Sequence, residues 1–448
     1  MVYDVVVIGA GAAGETAAGR LGEGGLSVAI VENRLVGGEC SYFACMPSKA
    51  LLRPVELARE GARVPGLRRT EIDAAAVLRW RDEIVAGLDD SGQLPWLEQR
   101  GVVLVRGHGR LAGERRVQVG EEVLEARRAV IVATGSRALL PPIPGLRESA
   151  PWTNVEATTT ERAPERLAIL GGGVVGVELA QAFAALGSTV TLVHRGERLL
   201  EREEPFASEQ VRQGLAESGV EIRLRAEAER VSRNGIVRIE LRDGSCLEAD
   251  EVLAALGRQP RTDELGLETV GVEPAGHLEV DEALRVPGRK WLYAIGDVNG
   301  RALLTHMGKY QGRLAADLIL GREGTLRLDG ARSPRVVFTD PQVGAVGLTH
   351  AAALEAGLDV RVVDVDTGGN AGGSFVGRGS AGTSRLVVDE HRRVVVGATI
   401  TGPEVAEALH AATIAVVAEV PLDLLWHAVP SFPTRSELWL KLLEAYGL

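Results

Sequence analysis

The chain has 448 residues, 45% of them hydrophobic and 25% charged, and only three cysteines. That length calls for two to four domains. The formal charge of −11, with no basic block, argues against nucleic-acid or anionic-membrane partners.

No apolar run is long enough to span a bilayer, and the opening Met1-Val2-Tyr3-Asp4-Val5 lacks the basic leader of a signal peptide. Residues 5–8 are a continuous apolar run of the kind found in buried parallel strands. They lead into Gly9, Gly11 and Gly14, a G-x-G-x-x-G, then an Ala-rich helix and a second strand that ends on Glu32. In that context the glycines allow a tight turn and close approach of a pyrophosphate. The helix N-terminus binds the phosphates, and Glu32 takes ribose hydroxyls.

Gly37-Gly38-Glu39-Cys40 then runs to Cys45-Met46-Pro47-Ser48-Lys49. Four residues between the cysteines place both sulfurs on one face of a first helical turn. A helix N-terminus lowers a thiol pKa, so the pair reads as a reversible disulfide; two unrelated cysteines are the other reading. With both in one motif, Cys246 stands alone, as expected of a reducing compartment. The expected location is the cytoplasm.

Residues 55–100 read as surface helices, and 101–119 as strands of a small meander. Residues 129–132 form another buried strand ending on Ala133-Thr134-Gly135, and Pro141 to Gly145 is a stiff connection. A second fingerprint follows at Gly171, Gly173 and Gly176, with Glu178 on its helix. Its second strand ends on His194 with Arg195 and Arg198 nearby, instead of on an acid. A carboxylate would repel a 2′-phosphate, whereas His and Arg can bind one. NADPH is therefore expected ahead of NADH; unselective surface arginines are the alternative. Residues 252–260, around Gly257, close this unit. Residues 292–298 carry Gly296 and Asp297, an acceptor at a strand end able to hold hydroxyls. His306 is expected to pack among apolar neighbours or to lie at a cofactor's edge, and not to act as a catalytic base. From about residue 333 antiparallel strands and a helix fit an α+β domain.

The G-G-x-C-x4-C-x-P-S-K run resembles the active-site signature of the flavin-dependent pyridine-nucleotide disulfide oxidoreductases, the family of dihydrolipoamide dehydrogenase, glutathione reductase and mercuric reductase. The resemblance implies an α/β fold with two Rossmann-like dinucleotide-binding domains, for FAD and NAD(P), plus a C-terminal α+β dimerisation domain. The boundaries expected are 1–148 (FAD, first part), 149–270 (NAD(P)H), 271–332 (FAD, second part) and 333–448 (interface). It implies a homodimer in which Lys49 lies beside the flavin and pairs with Glu178. The Ala133-Thr134-Gly135 turn closes over the first dinucleotide, and Asp297 holds the ribityl or phosphate portion. Cys45 is the thiol nearer the flavin, and Cys40 meets a small-molecule or thiol/disulfide substrate.

One departure bears on function. The family ends on His-Pro-Thr-x-x-Glu, in which the histidine is an acid–base and the glutamate orients it. Here the run is Phe432-Pro433-Thr434-Arg435-Ser436-Glu437, and a phenyl ring transfers no proton. Mercuric reductase and 2-ketopropyl-coenzyme M oxidoreductase/carboxylase also lack this histidine. The first, however, delivers metal with a C-terminal cysteine pair, which this chain lacks. The second follows its phenylalanine with a histidine where Glu437 stands. The expected activity is hydride transfer from NAD(P)H through FAD to the Cys40–Cys45 disulfide, then to a disulfide or other thiolate-reactive substrate. No resident metal is expected. The competing readings are a diaphorase that reduces quinones or metal ions without the cysteines, and a non-catalytic relative.

Overall fold

The structure, a computed structural model, describes residues 1–448 apart from Arg69, Pro274, Ala275 and Ala381. The chain weaves between two compact units. One comprises residues 1–47, 82–139 and 258–330, the other 48–81, 140–257 and 331–448.

The first unit is built on a sheet whose strands run Val102–Arg106, Val28–Glu32, Val2–Ile8 and Glu122–Val132, all parallel. Strand Glu122–Val132 does two jobs. Its start pairs antiparallel with Arg116–Val119, and its end pairs parallel with Leu292–Ala294. Val5 to Ile8 are buried because both faces of the sheet are covered, and the period-2 alternation sorts them into two cores. Val5, Val7, Ile30 and Ile131 face the helices, with Ala17 and Leu314. Val6, Val31 and Val130 face the meander side, with Leu111, Val117 and Leu124. Each fully buried Val or Ile contributes about 1.5–3 kcal/mol.

Helices Ala12–Glu23 and Thr305–Ile319 pack side by side and parallel. Their close approach is at Ala13 against Gly308 and Gly312, where a Cβ on Gly312 would lie 2.6 Å from the Ala13 carbonyl oxygen. Two turns on, Arg20 donates twice to Asp317, at 2.7 and 2.8 Å. Both N-termini thus face the same end of the unit.

The second unit holds a four-stranded parallel sheet in the order Glu221–Leu224, Thr189–His194, Arg166–Leu170 and Glu251–Ala254. A three-stranded meander, residues 228–249, covers one side, and helix Val174–Ala185 the other. A separate five-stranded antiparallel sheet spans residues 335–402 and carries helix Val405–Val417 on one face, where Val405 and Leu409 lie close to Gly344.

Several expectations need correction. Strand Val102–Arg106 belongs to the parallel sheet and not to the meander, because it pairs with Val28–Glu32. The helical region before it is not all surface: Arg81 is 1% exposed, its guanidinium donating to the Thr158 and Thr160 carbonyls. His306 is exposed, and its neighbour Met307 takes the buried position.

Candidate functional site

In the first unit the glycine loop turns on contacts no side chain could replace. A Cβ on Gly14 would lie 2.0 Å from the Gly9 carbonyl oxygen, and one on Gly9 2.4 Å from that of Ala133. The middle glycine differs. A Cβ on Gly11 would meet only the Gly38 Cα, at 3.9 Å, so protein packing does not explain its lack of a side chain. Gly38 is set by packing, with φ +65° and its Cβ position 2.6 Å from the Gly11 Cα. Glu32 holds the loop: Oε2 accepts from the Ala10 N–H and Oε1 from the Arg34 N–H, both at 2.7 Å.

Ala133 packs beneath this loop, Thr134 donates to the Arg261 carbonyl at 2.9 Å, and Gly135 takes a positive φ of 70°. Ser136 donates to Asp297 Oδ2 at 2.5 Å. Burial raises the Asp297 carboxyl above its ordinary value, with Ser136 and Arg258 opposing the shift. Arg258 in turn pairs with Glu39 Oε1 at 2.7 Å. Gly296 donates its N–H to Gln311 Oε1 at 2.8 Å, inside the core.

The cysteine pair is assembled differently from the expectation of a shared helical turn. Cys40 lies in the short helix Gly38–Tyr42, and Cys45 opens the next helix, Cys45–Arg63. The break at Phe43 and Ala44 brings the sulfurs together. Both are thiols here, the Cys40 thiol hydrogen-bonded to Cys45, and that bond together with burial pushes Cys40 up, not down. Thr305 Oγ1 lies 3.3 Å from Cys45 Sγ. Sequence reasoning missed Thr305, Glu39 and Arg258. A threonine opening a helix was the one available sign, and a long-range ion pair leaves none.

In the second unit Lys49 Nζ donates to Glu178 Oε2 at 2.7 Å, and Lys49 also lies over the Phe338 ring, 4.7 Å from its centre. Glu178 is 3% exposed, and its Oε1 accepts the Phe338 N–H at 2.9 Å. Both of its oxygens are thus used, as burial of a carboxylate requires.

The second glycine loop repeats the first. A Cβ on Gly176 would lie 1.9 Å from the Gly171 carbonyl oxygen, one on Gly171 2.2 Å from that of Ala255, and one on Gly173 would meet nothing within 4 Å. Gly257 has φ +121°. His194, expected beside a 2′-phosphate, turns Nδ1 to the loop, where it accepts the Gly172 N–H at 3.1 Å, which places the proton on Nε2. Burial lowers its pKa, so the ring is neutral at pH 7. Arg198 is occupied by the Glu201 and Glu203 carbonyls. Arg195 is the exposed cation at this strand end.

Near the C-terminus Phe432 is 77% exposed, while Glu437 Oε2 is buried with no partner among the described residues. Arg435, within the motif, bonds Glu404 at 3.1 Å and the Pro403 carbonyl. Among the described residues no group of three or more His, Cys, Asp or Glu could hold a metal ion, and no helix is long and apolar enough to cross a membrane.

Comparison with known proteins gives a consistent result. The pyridine nucleotide-disulphide oxidoreductase family model matches residues 3–312, and that family's dimerisation-domain model matches 333–442. The mercuric reductase of Staphylococcus aureus is 32% identical over 447 residues, covering 97% of this chain and 81% of its own. The dihydrolipoyl dehydrogenase of Thermus scotoductus is 33% identical, covering 99% and 97%. Among solved structures, the HOCl-induced flavoprotein disulfide reductase RclA of Escherichia coli aligns with a TM-score of 0.86 at 27% identity, covering 99% of both chains. LpdA of Mycobacterium tuberculosis aligns with a TM-score of 0.87 at 25% identity, covering 99% of this chain and all of its own.

Proposed function

The chain belongs to the pyridine nucleotide-disulphide oxidoreductases, and from that membership we propose that it delivers electrons through Cys40 and Cys45 to a thiolate-reactive acceptor needing no proton from the enzyme. As a member it is a flavin-dependent enzyme of FAD and NAD(P)H, with a dimerisation domain that makes a homodimer its working form.

The residues of the first unit fit FAD. The uncrowded space over Gly11, the free N–H groups opening helix Ala12–Glu23, and the Glu32 carboxylate suit its pyrophosphate and ribose. Asp297, held by the Ser136 hydroxyl, offers an acceptor for its ribityl hydroxyls. The second loop, with Gly171, Gly173 and Gly176, suits the nicotinamide nucleotide, and Lys49 is the cation held there by Glu178. When bound, FAD supplies two-electron chemistry between the nicotinamide and the disulfide.

The observation that carries the proposal is the hydrogen-bonded thiol pair beside Thr305 in the glycine-loop unit. Opening the disulfide takes two electrons and one proton and leaves one thiol and one thiolate. The thiolate is assigned to Cys45, which opens helix Cys45–Arg63 at an N-terminus that favours it. Phe432, read as standing where the family has its acid–base histidine, cannot protonate a departing thiolate. The favoured acceptors therefore leave no basic group behind, as with a thiophilic metal ion or an activated disulfide. The names of the relatives agree with that class: mercuric reductase, and RclA, which was also solved as a Cu(II) complex. NADPH is the favoured donor because the second strand ends without a repelling carboxylate and Arg195 is exposed there.

Anaerobic titration of the holoenzyme with NADPH tests this reading. Two new thiols and a thiolate-to-flavin charge-transfer band are expected. Cys40→Ser and Cys45→Ser should each cut turnover of a thiophilic acceptor by about a hundredfold or more. Flavin bleaching without new thiols, and full turnover in both variants, would transfer the function to direct reduction of quinones or metal ions by the flavin.

A further inference from the structure

Glu178 divides its two oxygens between two elements of the second unit. Oε2 accepts from Lys49 Nζ at 2.7 Å, and Oε1 accepts the Phe338 N–H at 2.9 Å. The same Phe338 returns to Lys49, because its ring centre lies 4.7 Å from Nζ, within reach of a cation–π contact. Phe338 thus touches both members of the ion pair, one through its backbone and the other through its ring. Lys49 also donates to Ser48 Oγ at 3.3 Å. An ammonium has three N–H groups, so two are engaged inside the unit and one is left for a bound molecule.

The segment that makes these contacts is itself fastened to both helices. Two residues beyond Phe338, the Asp340 N–H donates to Gln181 Oε1 at 2.9 Å, one helical turn on from Glu178. The Asp340 carboxylate accepts from Arg63 at 2.6 and 2.7 Å and pairs with Arg59 at 3.3 Å, both on the helix that carries Lys49. Gln181 and Asp340 are 2% and 5% exposed. Residues 338–340 join strands Arg335–Val337 and Gln342–Gly347, so the position of the ring is set by buried bonds on either side of it.

We propose that Phe338 is the positioning residue of Lys49: its backbone holds Glu178, and its ring confines the ammonium to one orientation toward the nicotinamide nucleotide. The proposal rests on the reading of this unit as the place where NAD(P)H delivers its electrons. Leucine at position 338 keeps the backbone bond to Glu178 and removes only the aromatic face. Tyrosine keeps that face.

Two measurements on the FAD holoenzyme test it. The first is the rate at which an amine-acylating reagent labels Lys49, read by peptide mass spectrometry. The Lys49 side chain is 34% exposed, so the reagent can reach it, and Lys290, Lys309 and Lys441 serve as internal references. Phe338→Leu should speed labelling of Lys49 about threefold to tenfold, and Phe338→Tyr should return it to the wild-type rate. The second is the anaerobic rate of flavin reduction by NADPH in a double-mutant cycle with Lys49→Met. Phe338→Leu should slow reduction about threefold or more when Lys49 is present and add nothing once it is methionine. Unchanged labelling of Lys49 in Phe338→Leu, or equal slowing in both backgrounds, would make the ring a packing group and overturn the proposal. A Lys49→Met enzyme reduced at the wild-type rate would overturn it too, with the functional reading intact. A wild-type flavin that neither NADPH nor NADH reduces would overturn that reading and the proposal together.

Discussion

The two glycine loops of this chain are built alike and stapled differently. In each, the residue after the first glycine, Ala10 or Gly172, donates its N–H to the side chain at the end of the second strand. In the first unit that acceptor is the Glu32 carboxylate, which also accepts from Arg34. In the second it is the His194 imidazole, with a single bond at 3.1 Å. The strand-end residue therefore holds the loop in shape as well as setting the charge offered to a ribose. A change of acid to histidine alters the second task and keeps the first.

The largest expected effects come from what the loops share. Gly14→Ala would put a methyl 2.0 Å from the Gly9 carbonyl oxygen, and Gly176→Ala one 1.9 Å from that of Gly171. Each methyl meets backbone of its own loop, which cannot rotate aside, and the strain is about 1–3 kcal/mol or more. Gly14→Ala should be purified largely free of flavin. Gly176→Ala should keep its flavin and show a KM for NADPH about tenfold or more above wild type. Absorbance of the bound flavin and steady-state kinetics read the two outcomes separately. Loss of flavin from both variants would mean that the loops are not independent.

Where the loops differ, the effects should differ in size. Glu32→Ala leaves two N–H groups without their charged acceptor, at about 1.5–3 kcal/mol for each bond to a charged group. His194→Ala removes one neutral bond, about 0.5–1.5 kcal/mol. The first variant should weaken FAD binding about a hundredfold, and the second should raise the KM for the nicotinamide nucleotide severalfold. Comparable losses in both would show that the strand-end residue acts mainly through loop shape, and that its charge is secondary.

The comparison also marks how far the sequence could be read. Both glycine loops, their strands and helices, the paired cysteines and the C-terminal α+β domain were legible, because each is dictated by local periodicity and by glycines at fixed spacing. What escaped depends on side-chain direction and long-range pairing. His194 has the composition of a phosphate ligand, but its Nδ1 points back to Gly172. Cys40 and Cys45 have helical spacing, but a break at Phe43 and Ala44 separates them into two helices. Strand Val102–Arg106 looks like part of the meander that follows, and only its pairing with Val28–Glu32 places it in the parallel sheet. Arg258 and Glu39 meet across 219 residues of sequence.

The smallest expected effect follows from the neutral staple. Burial lowers the His194 pKa in the folded chain, below the usual value of about 6.5 that it regains on unfolding. In the window beneath that value the unfolded chain binds the additional proton and the folded chain does not. Stability conferred by the neutral ring is therefore complete above about pH 6.5 and is lost as the pH falls. His194→Gln keeps an acceptor for the Gly172 N–H and cannot titrate. Thermal unfolding of wild type and variant, compared at about pH 7.5 and about pH 5.5, should show the wild type losing about one to two degrees more on acidification. An equal loss in both would mean that the ring swings out to take its proton in solvent. In that event His194 would be free to meet a 2′-phosphate as a cation after all, and the preference for NADPH should strengthen at the lower pH.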